Sequence, residues 1–455
     1  MEWEAIKERL DALLASGKHG EIRGAMRMLN VVDIAQYMET LERDKLLHVF
    51  RILPKDISSD VFTYMEPEQK QLLIESIGDQ EISALIDDMF LDDAVDFLEE
   101  LPASVVKRVL QSAPVEKRNL INQFLHYPEY SAGSIMTIEY LEFHEGDTVR
   151  DAMNIIKKVG LDKETIYTLY IIDKARRLLG TLALRKMILA EEDAVLSDMM
   201  DRNPISVFTT DDQEKVADTV RRYDVMALPV VDKENRLVGI ITADDVMDVI
   251  EEENTEDFEK MALVVPSEET YLKTGVFTHA KSRILWLMIL MITSTFTAQI
   301  ITGFEESLAL FTGLTACIPM LMGTGGNAGN QTSTLIIRGL ALGEIEPKDY
   351  FRILFKEIWV SLLCGGALAL ANYGRMWVLN AAGWQPVDGV STILAVCAAM
   401  LCTVVVAKVI GCTLPIAVKL IKLDPALMAG PMITTIVDAL SLLVYFLFAR
   451  MLLNL

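Results

Sequence analysis

Histidine and cysteine are scarce in this sequence, five of each in 455 residues. His19, His48, His126, His144 and His279 are scattered, and Cys317, Cys364, Cys397, Cys402 and Cys412 show no C-x-x-C spacing. This argues against a structural zinc site and a disulfide frame, and leaves the cysteines as small reduced packing residues. A nucleophile–base pair and a phosphate-binding loop are also missing, so an enzyme is disfavoured and no catalytic residue is assigned. The start of the chain, MEWEAIKERLDALLASGKHG, lacks the apolar centre of a signal peptide and reads as a charged amphipathic helix. Its N-terminal half is therefore expected in the cytosol. Positive charge is short as well: 42 Lys and Arg face 65 Asp and Glu, a net of −23, which makes nucleic acid an unexpected partner.

What is present divides sharply. Residues 276–455 hold nine acidic and eleven basic side chains, whereas 1–275 hold 56 acidic and 31 basic, a net of −25. The entire acidic excess thus lies in the first three-fifths, where it opposes compaction unless cations gather around it. Residues 1–130 repeat apolar positions at i, i+3 and i+4, with Pro54, Pro67, Pro102 and Pro114 where new helices would begin. The pattern predicts a superhelical, all-α array.

Between 131 and 257 the pattern changes to brief β-rich runs among helices, twice over. One copy begins GSIMTIEYLEF and ends LLGTLALRKMI; the other begins SDMMDRNPISVF and ends LVGIITADDVM, with Met136 and Met200 heading them 64 residues apart. Each is predicted as helix–strand–strand–helix, over about 131–194 and 195–257. The two copies resemble a tandem CBS pair, an α+β regulatory module that commonly binds adenine nucleotides or senses ions. That resemblance rests on G-x-I-T-x-x-D at Gly239–Asp245 and is weaker in the first copy, which has Arg185 where the motif wants an acid.

After the acidic linker EEENTEDFEK, a connecting helix is expected over 258–282, interfacial near 266–280, followed by a membrane domain over 283–455. Five apolar spans are read at 284–303, 308–336, 352–378, 390–414 and 426–449, each long enough for about 30 Å of hydrocarbon. Lys281, Arg283, Arg338, Lys348, Arg352, Lys356, Lys419 and Lys422 mark one side; Glu305, Glu306, Arg375 and Asp388 mark the other. By the positive-inside rule the N-terminus is cytosolic, the C-terminus outside, and the protein multi-pass in the cell membrane.

The second span, ALFTGLTACIPMLMGTGGNAGNQTSTLIIRGLALGE, carries Pro319, Gly323, Gly325, Gly326, Asn327, Gly329, Asn330 and Gln331 near membrane depth. So much glycine loosens a helix, and polar groups at that depth need water or protein. The segment is therefore read as pore-lining through Pro319, Gly323, Gly326 and Gln331; tight packing through small residues is the other reading. In the last span Asp438 is a carboxylate with no basic partner on its own helix, preceded by Pro431, Thr434 and Thr435. A membrane-depth acid is a functional candidate by default. In a symmetric dimer two copies of Asp438 would face one divalent ion, with Thr434, Asn327 and Asn330 supplying oxygens around a hydrated magnesium.

The order of these regions, together with PMLMGTGGNAGNQ, GPMITTIVD and YPEYSAGSIMT at 127–137, resembles the MgtE family of magnesium channels over essentially the whole chain. The resemblance implies a homodimer with one pore lined by spans two and five, Asp438 as its selective site, and magnesium uptake that cytosolic magnesium closes. Matching regulatory acids stand at Asp92 and Asp96, at Glu214, Asp224, Asp245 and Asp248, at Glu253, Glu256 and Asp257, and at Asp424. ATP at the CBS pair is a further expectation. A secondary transporter exchanging a divalent cation for sodium or protons is the rival, because Asp438 could also relay protons.

Overall fold

A computed structural model describes residues 2–99, 101–267, 271–272, 274–304, 312–383 and 389–453. The chain divides into two compact units, Met1–Glu251 and Glu252–Leu455. The first begins with ten short helices: α1 (Glu2–Ala15), α2 (His19–Met26), α3 (Val31–Glu39), α4 (Arg43–Ile52) and α5 (Lys55–Thr63). They continue as α6 (Pro67–Ser76), α7 (Asp79–Asp88), α8 (Leu91–Glu99), α9 (Ala103–Ser112) and α10 (Val115–Phe124). Pro54, Pro102 and Pro114 cap α5, α9 and α10, and Pro67 opens α6. Proline lacks the amide that a first turn leaves unbonded, which is why it punctuates the array. Fully buried Phe62 and Phe97, 4.9 Å apart edge to face, help form a core that continues into Met136, Val216 and Ile241 of the next region.

Two three-stranded sheets follow. In one, β1 (Glu142–His144) runs parallel to β2 (Thr168–Ile172), which pairs antiparallel with β3 (Leu178–Ala183). In the other, β4 (Val207–Phe208), β5 (Ala227–Val231) and β6 (Leu237–Thr242) repeat that topology. The edge strands β1 and β4 were absent from the sequence expectation; at three and two residues they are too short to show a period of two. Helices α11 (Val149–Val159), α12 (Leu184–Ile188), α13 (Leu196–Met199), α14 (Gln213–Tyr223) and α15 (Ala243–Met261) complete the region.

The heads of the two repeats are exchanged in space. Thr137 bridges Ile240, and Met136 covers Gly239, where an added Cβ would lie 2.7 Å from the methionine sulfur. Reciprocally, Asp201 bridges Thr181 and Met200 covers Gly180. Each sheet is thus closed by the segment that heads the other copy, so the sequence boundary near 194 does not separate two spatial lobes.

In the second unit the linker differs from expectation. The helical connection is α15, which ends at Met261; residues 262–267 are not helical, and the stretch expected to lie at the interface ends inside α16 (Val276–Gly303). Amphipathic-looking residues near 276 simply extend the first apolar helix by two turns. Then come α17 (Thr312–Thr315), α18 (Ile318–Ala341), α19 (Tyr350–Ala381), α20 (Gly389–Leu420) and α21 (Gly430–Leu453). The loop acids Glu305, Glu306 and Asp388, and residues 308–311 of the expected second span, lie outside the described residues.

Among the described residues four helical segments, including α16, α19, α20 and α21, are long and apolar enough to cross a membrane. The fifth, α18, spans 24 residues but carries the Gly, Asn, Gln and Thr content that lowers its hydropathy. Helix α16 has no buried residue, and α19 exposes Phe351, Phe355, Trp359, Leu363, Leu370 and Trp377. Apolar surface this extensive is stable only against lipid or protein.

Candidate functional site

Two sets of polar groups stand out, one in each unit. In the first unit, α8 starts immediately after Phe90 and points Asp92 inward, because Leu91, Ala94, Val95, Phe97 and Leu98 all face the core. Asp92 is 8% exposed, and its Oδ1 has no hydrogen-bond partner. Burial first, then the charges of Asp93, Asp245 and Glu164, push its carboxyl well above the usual range. Burial and Asp245 likewise push Asp93 up to about 6, and burial with Asp245 and Asp93 pushes Glu164 up to about 7.

Asp245 opens α15 and accepts a 2.5 Å hydrogen bond from Thr242; burial still raises its carboxyl. Asp248, exposed one turn later, is raised by burial and by Glu251 and Asp244. Such mutual elevation marks acids too close and too dry to ionise together. Among the described residues no three side chains are close enough to form a ready-made metal-ligand set. The orphaned oxygen of Asp92 and the crowding of Asp93, Asp245 and Glu164 nonetheless fit a hard divalent cation, which prefers carboxylate oxygens and keeps part of its water shell.

The sequence reading selected Asp92, Asp245 and Asp248 here but missed Asp93 and Glu164. Asp96, one turn after Asp92 on α8, is exposed where Asp92 is buried. Glu214, on α14, and Asp224, its C-cap in the left-handed conformation at φ 51, are both exposed. Asp224 borders a hollow with Arg221, Met226, Met247 and Ile250, well away in sequence from the α8 acids.

In the second unit Lys260 organises the linker acids. Its Nζ lies 2.8 Å from Glu256 Oε1 and 2.8 Å from Asp424 Oδ2, and these bonds hold the ammonium above its ordinary range despite burial. Asp424 Oδ1 also accepts from Ala426 N at 2.8 Å, capping the turn Pro425–Met428. Asp257 is pushed up to about 6 by burial and by Asp424, while Glu253 lies one turn earlier, half-buried. The end of α15 meets the start of α21 closely: a Cβ on Gly430 would lie 2.9 Å from the Met261 carbonyl.

Within the apolar helices, α18 is continuous from Ile318 to Ala341, which corrects the expectation that its glycines loosen it. Gly325 and Gly329 are buried; a Cβ on Gly325 would lie 2.6 Å from Ser441 Oγ, and one on Gly329 2.9 Å from Ile433 Cγ2. Here glycine admits a neighbouring helix to backbone distance. Gly323 has open space around it, and Pro319, Gly323, Asn327 and Gln331 form one exposed stripe at i, i+4 spacing.

Asp438 stands half-exposed on α21, with Oδ1 3.6 Å from where a Gly326 Cβ would be. Gly326 is thus a close neighbour of the carboxylate. The hydroxyls of Thr434 and Thr435 donate to the Pro431 carbonyl at 2.9 and 2.8 Å, leaving their oxygen lone pairs available. Asn330 is differently employed: its Oδ1 accepts from Gly430 N at 2.9 Å and anchors the start of α21.

One group escaped the sequence reading altogether. Lys408 on α20, 7% exposed, donates from Nζ to Thr332 Oγ1 at 3.0 Å and lies 3.5 Å from Glu357 Oε2 on α19. Thr332 in turn donates to Glu357 Oε2 at 2.9 Å. A lysine in the middle of an apolar span was the available signal.

Comparison with known proteins agrees with this layout. Residues 318–448 match the family MgtE, described as "Divalent cation transporter"; 29–130 match the MgtE intracellular N domain and 196–252 the CBS domain. A "Magnesium transporter MgtE" of Thermus thermophilus is 34% identical over 99% of both chains, and one of Bacillus subtilis is 30% identical over 98% of this chain and 97% of its own. The cytosolic domain of "the Mg2+ channel MgtE in complex with ATP" superposes with a TM-score of 0.51 at 31% identity, covering 53% of this chain and 99% of that structure. With its helical N-terminal domain, CBS pair and apolar helices in the family's order over the full length, the chain belongs to the MgtE family of magnesium transporters.

Proposed function

We propose that this transporter works as a homodimeric magnesium channel for uptake across the cytoplasmic membrane, closed by cytosolic magnesium. The observation that carries the reading is the stripe of Pro319, Gly323, Asn327 and Gln331 on α18, beside a half-exposed Asp438 held against Gly326. A polar stripe and a carboxylate on the surface of apolar helices are costly in hydrocarbon, and two copies facing each other across an aqueous path remove that cost. A pair of Asp438 carboxylates, with Thr434 oxygens nearby, would hold hydrated magnesium through its waters, firmly enough to select it and loosely enough to release it. Pro431 starts the same helix and belongs to the same wall.

A dimer is also supported by the exposed apolar residues Tyr223, Met226, Met247 and Ile250 around Asp224 in the second α/β sheet region. For regulation, Asp92, Asp93, Glu164, Asp245 and Asp248 would bind cations in the first unit, and Glu253, Glu256, Asp257 and Asp424 around the linker. Bare, these faces repel; bridged by ions they hold, so magnesium favours one state over the other. Asp96, Glu214 and Asp224 extend the acidic field. The ATP-bound relative supports an adenine nucleotide at the CBS pair. An N-terminus in the cytosol and a C-terminus outside follow from the basic residues flanking the spans.

The test is magnesium flux into liposomes containing the purified chain, at graded internal magnesium, against Asp438→Ala. Loss of saturable flux by about a hundredfold in the variant and inhibition by millimolar internal magnesium in the parent are expected. Undiminished flux in Asp438→Ala refutes the assignment, and single-channel currents in a bilayer separate a channel from an exchanger.

A further inference from the structure

The triad of Lys408, Glu357 and Thr332 lies away from the stripe that the channel reading assigns to the pathway, and its chemistry points to a separate role. The hydroxyl of Thr332 accepts from Lys408 and donates to Glu357, so its orientation is fixed from both sides. Next along α18, Ser333 donates to the Met428 carbonyl at 2.6 Å. At the same level the α18 and α20 backbones touch: a Cβ on Gly411 would lie 2.5 Å from the Gly329 carbonyl oxygen and 3.2 Å from Thr332 Cβ. Successive residues turn by about 100°, so the arc of Gly329, Thr332 and Ser333 is fastened while Asn327 and Gln331 face away from it.

Buried Gly325, Gly326 and Gly329 give α18 a smooth packing face with few side chains to interlock. Small-residue contacts of this kind bring helices close but resist rotation poorly. A buried, directional ion pair is costly to assemble and is best justified by the register it imposes. We infer that Lys408 and Glu357 are positioning residues of the ion pathway: through Thr332 they lock the rotation of α18, and thereby the direction in which Asn327 and Gln331 point. The inference rests on the reading that this stripe faces the pathway. Neither charge touches the ion.

The test uses the full-length chain in liposomes. Asn327→Cys, Ala328→Cys, Gln331→Cys and Ile336→Cys are each labelled with a charged methanethiosulfonate reagent, Ala328 and Ile336 being buried on α18, and reaction is counted above that of the native cysteines. Asn327→Cys and Gln331→Cys should react about tenfold faster than the other two. In a Glu357→Gln/Lys408→Met background the reaction should spread to Ala328→Cys and Ile336→Cys, and magnesium selectivity over sodium should fall by about tenfold. The charge-exchanged variant Glu357→Lys/Lys408→Glu should restore both. Thr332→Val, which keeps the ion pair and removes only its grip on α18, should reproduce the spread and serves if the double variant does not fold. An unchanged labelling pattern and selectivity in folded Glu357→Gln/Lys408→Met or in Thr332→Val overturns the inference. Absence of magnesium flux in the parent chain would instead overturn the channel reading.

Discussion

Binding of magnesium to the α8–α15 acids should expel protons, and the amount can be worked out. Asp93 rises from an ordinary 3.8 to about 6 and Glu164 from 4.5 to about 7, because burial and neighbouring acids disfavour their charged forms. For Asp93 alone that displacement corresponds to about 3 kcal/mol of strain when the carboxylate is bare. At pH 6.5 the first group is about one-quarter protonated and the second about three-quarters, so ion binding releases about one proton per chain, before any contribution from Asp92. At pH 8 the same two groups hold about a tenth of a proton. Apparent affinity should therefore weaken by about tenfold between pH 7 and pH 6 and hardly change above pH 8.

Without the ion the sign is the reverse of an ordinary salt-bridged acid. Raised carboxyls stabilise the folded unit fully below their unfolded values near 4, and that contribution is lost as the pH rises through about 6 and 7. Calorimetric titration of the full-length protein with magnesium at pH 6.5, in two buffers of different ionisation heat, measures the released proton directly. The released amount should fall by about one proton per chain in Asp93→Asn/Glu164→Gln. Equal heats in both buffers for the parent chain would refute the reasoning.

Gly325→Ala should destabilise the folded protein by about 1–3 kcal/mol, because its Cβ meets Ser441 Oγ at 2.6 Å, whereas Gly323→Ala should be close to neutral; thermal melting in detergent compares them. A loss confined to Gly323→Ala would invert the assignment of packed and open faces. Asp424→Ala removes the partner that Lys260 holds at 2.8 Å and the cap of the Pro425–Met428 turn. Patch recordings should then show currents that persist at high internal magnesium, and unchanged inhibition in that variant and in Asp248→Ala would count against these acids as regulators.

The helical array and its proline punctuation were legible because both rest on local chemistry: a 3.6-residue apolar period and a residue without an amide. The repeat was legible for the same reason, whereas the exchange of its heads was not. Met136 finding Gly239 is a contact across about a hundred residues, invisible to any local period. Asp438 could be singled out because a carboxylate in an apolar span is unusual wherever it points. Lys408 was equally conspicuous, but its partners Thr332 and Glu357 sit 76 and 51 positions away, and only packing reveals that the charge is answered. Glycine misled in part: composition indicates permissiveness, while the structure spends Gly325 and Gly329 on close approach and leaves Gly323 open. Asp93 and Glu164 escaped notice because their meaning comes from shared burial, not spacing.

The exchanged heads of the α/β repeats make a clasp. With Thr137 joined to Ile240 and Asp201 joined to Thr181, separating the chain between the copies would strip each sheet of the strap that covers its glycine. Neither copy is a self-sufficient module, so a ligand that tightens one sheet pulls on the segment leading into the other. The pair inherits, moves and fails as a single body.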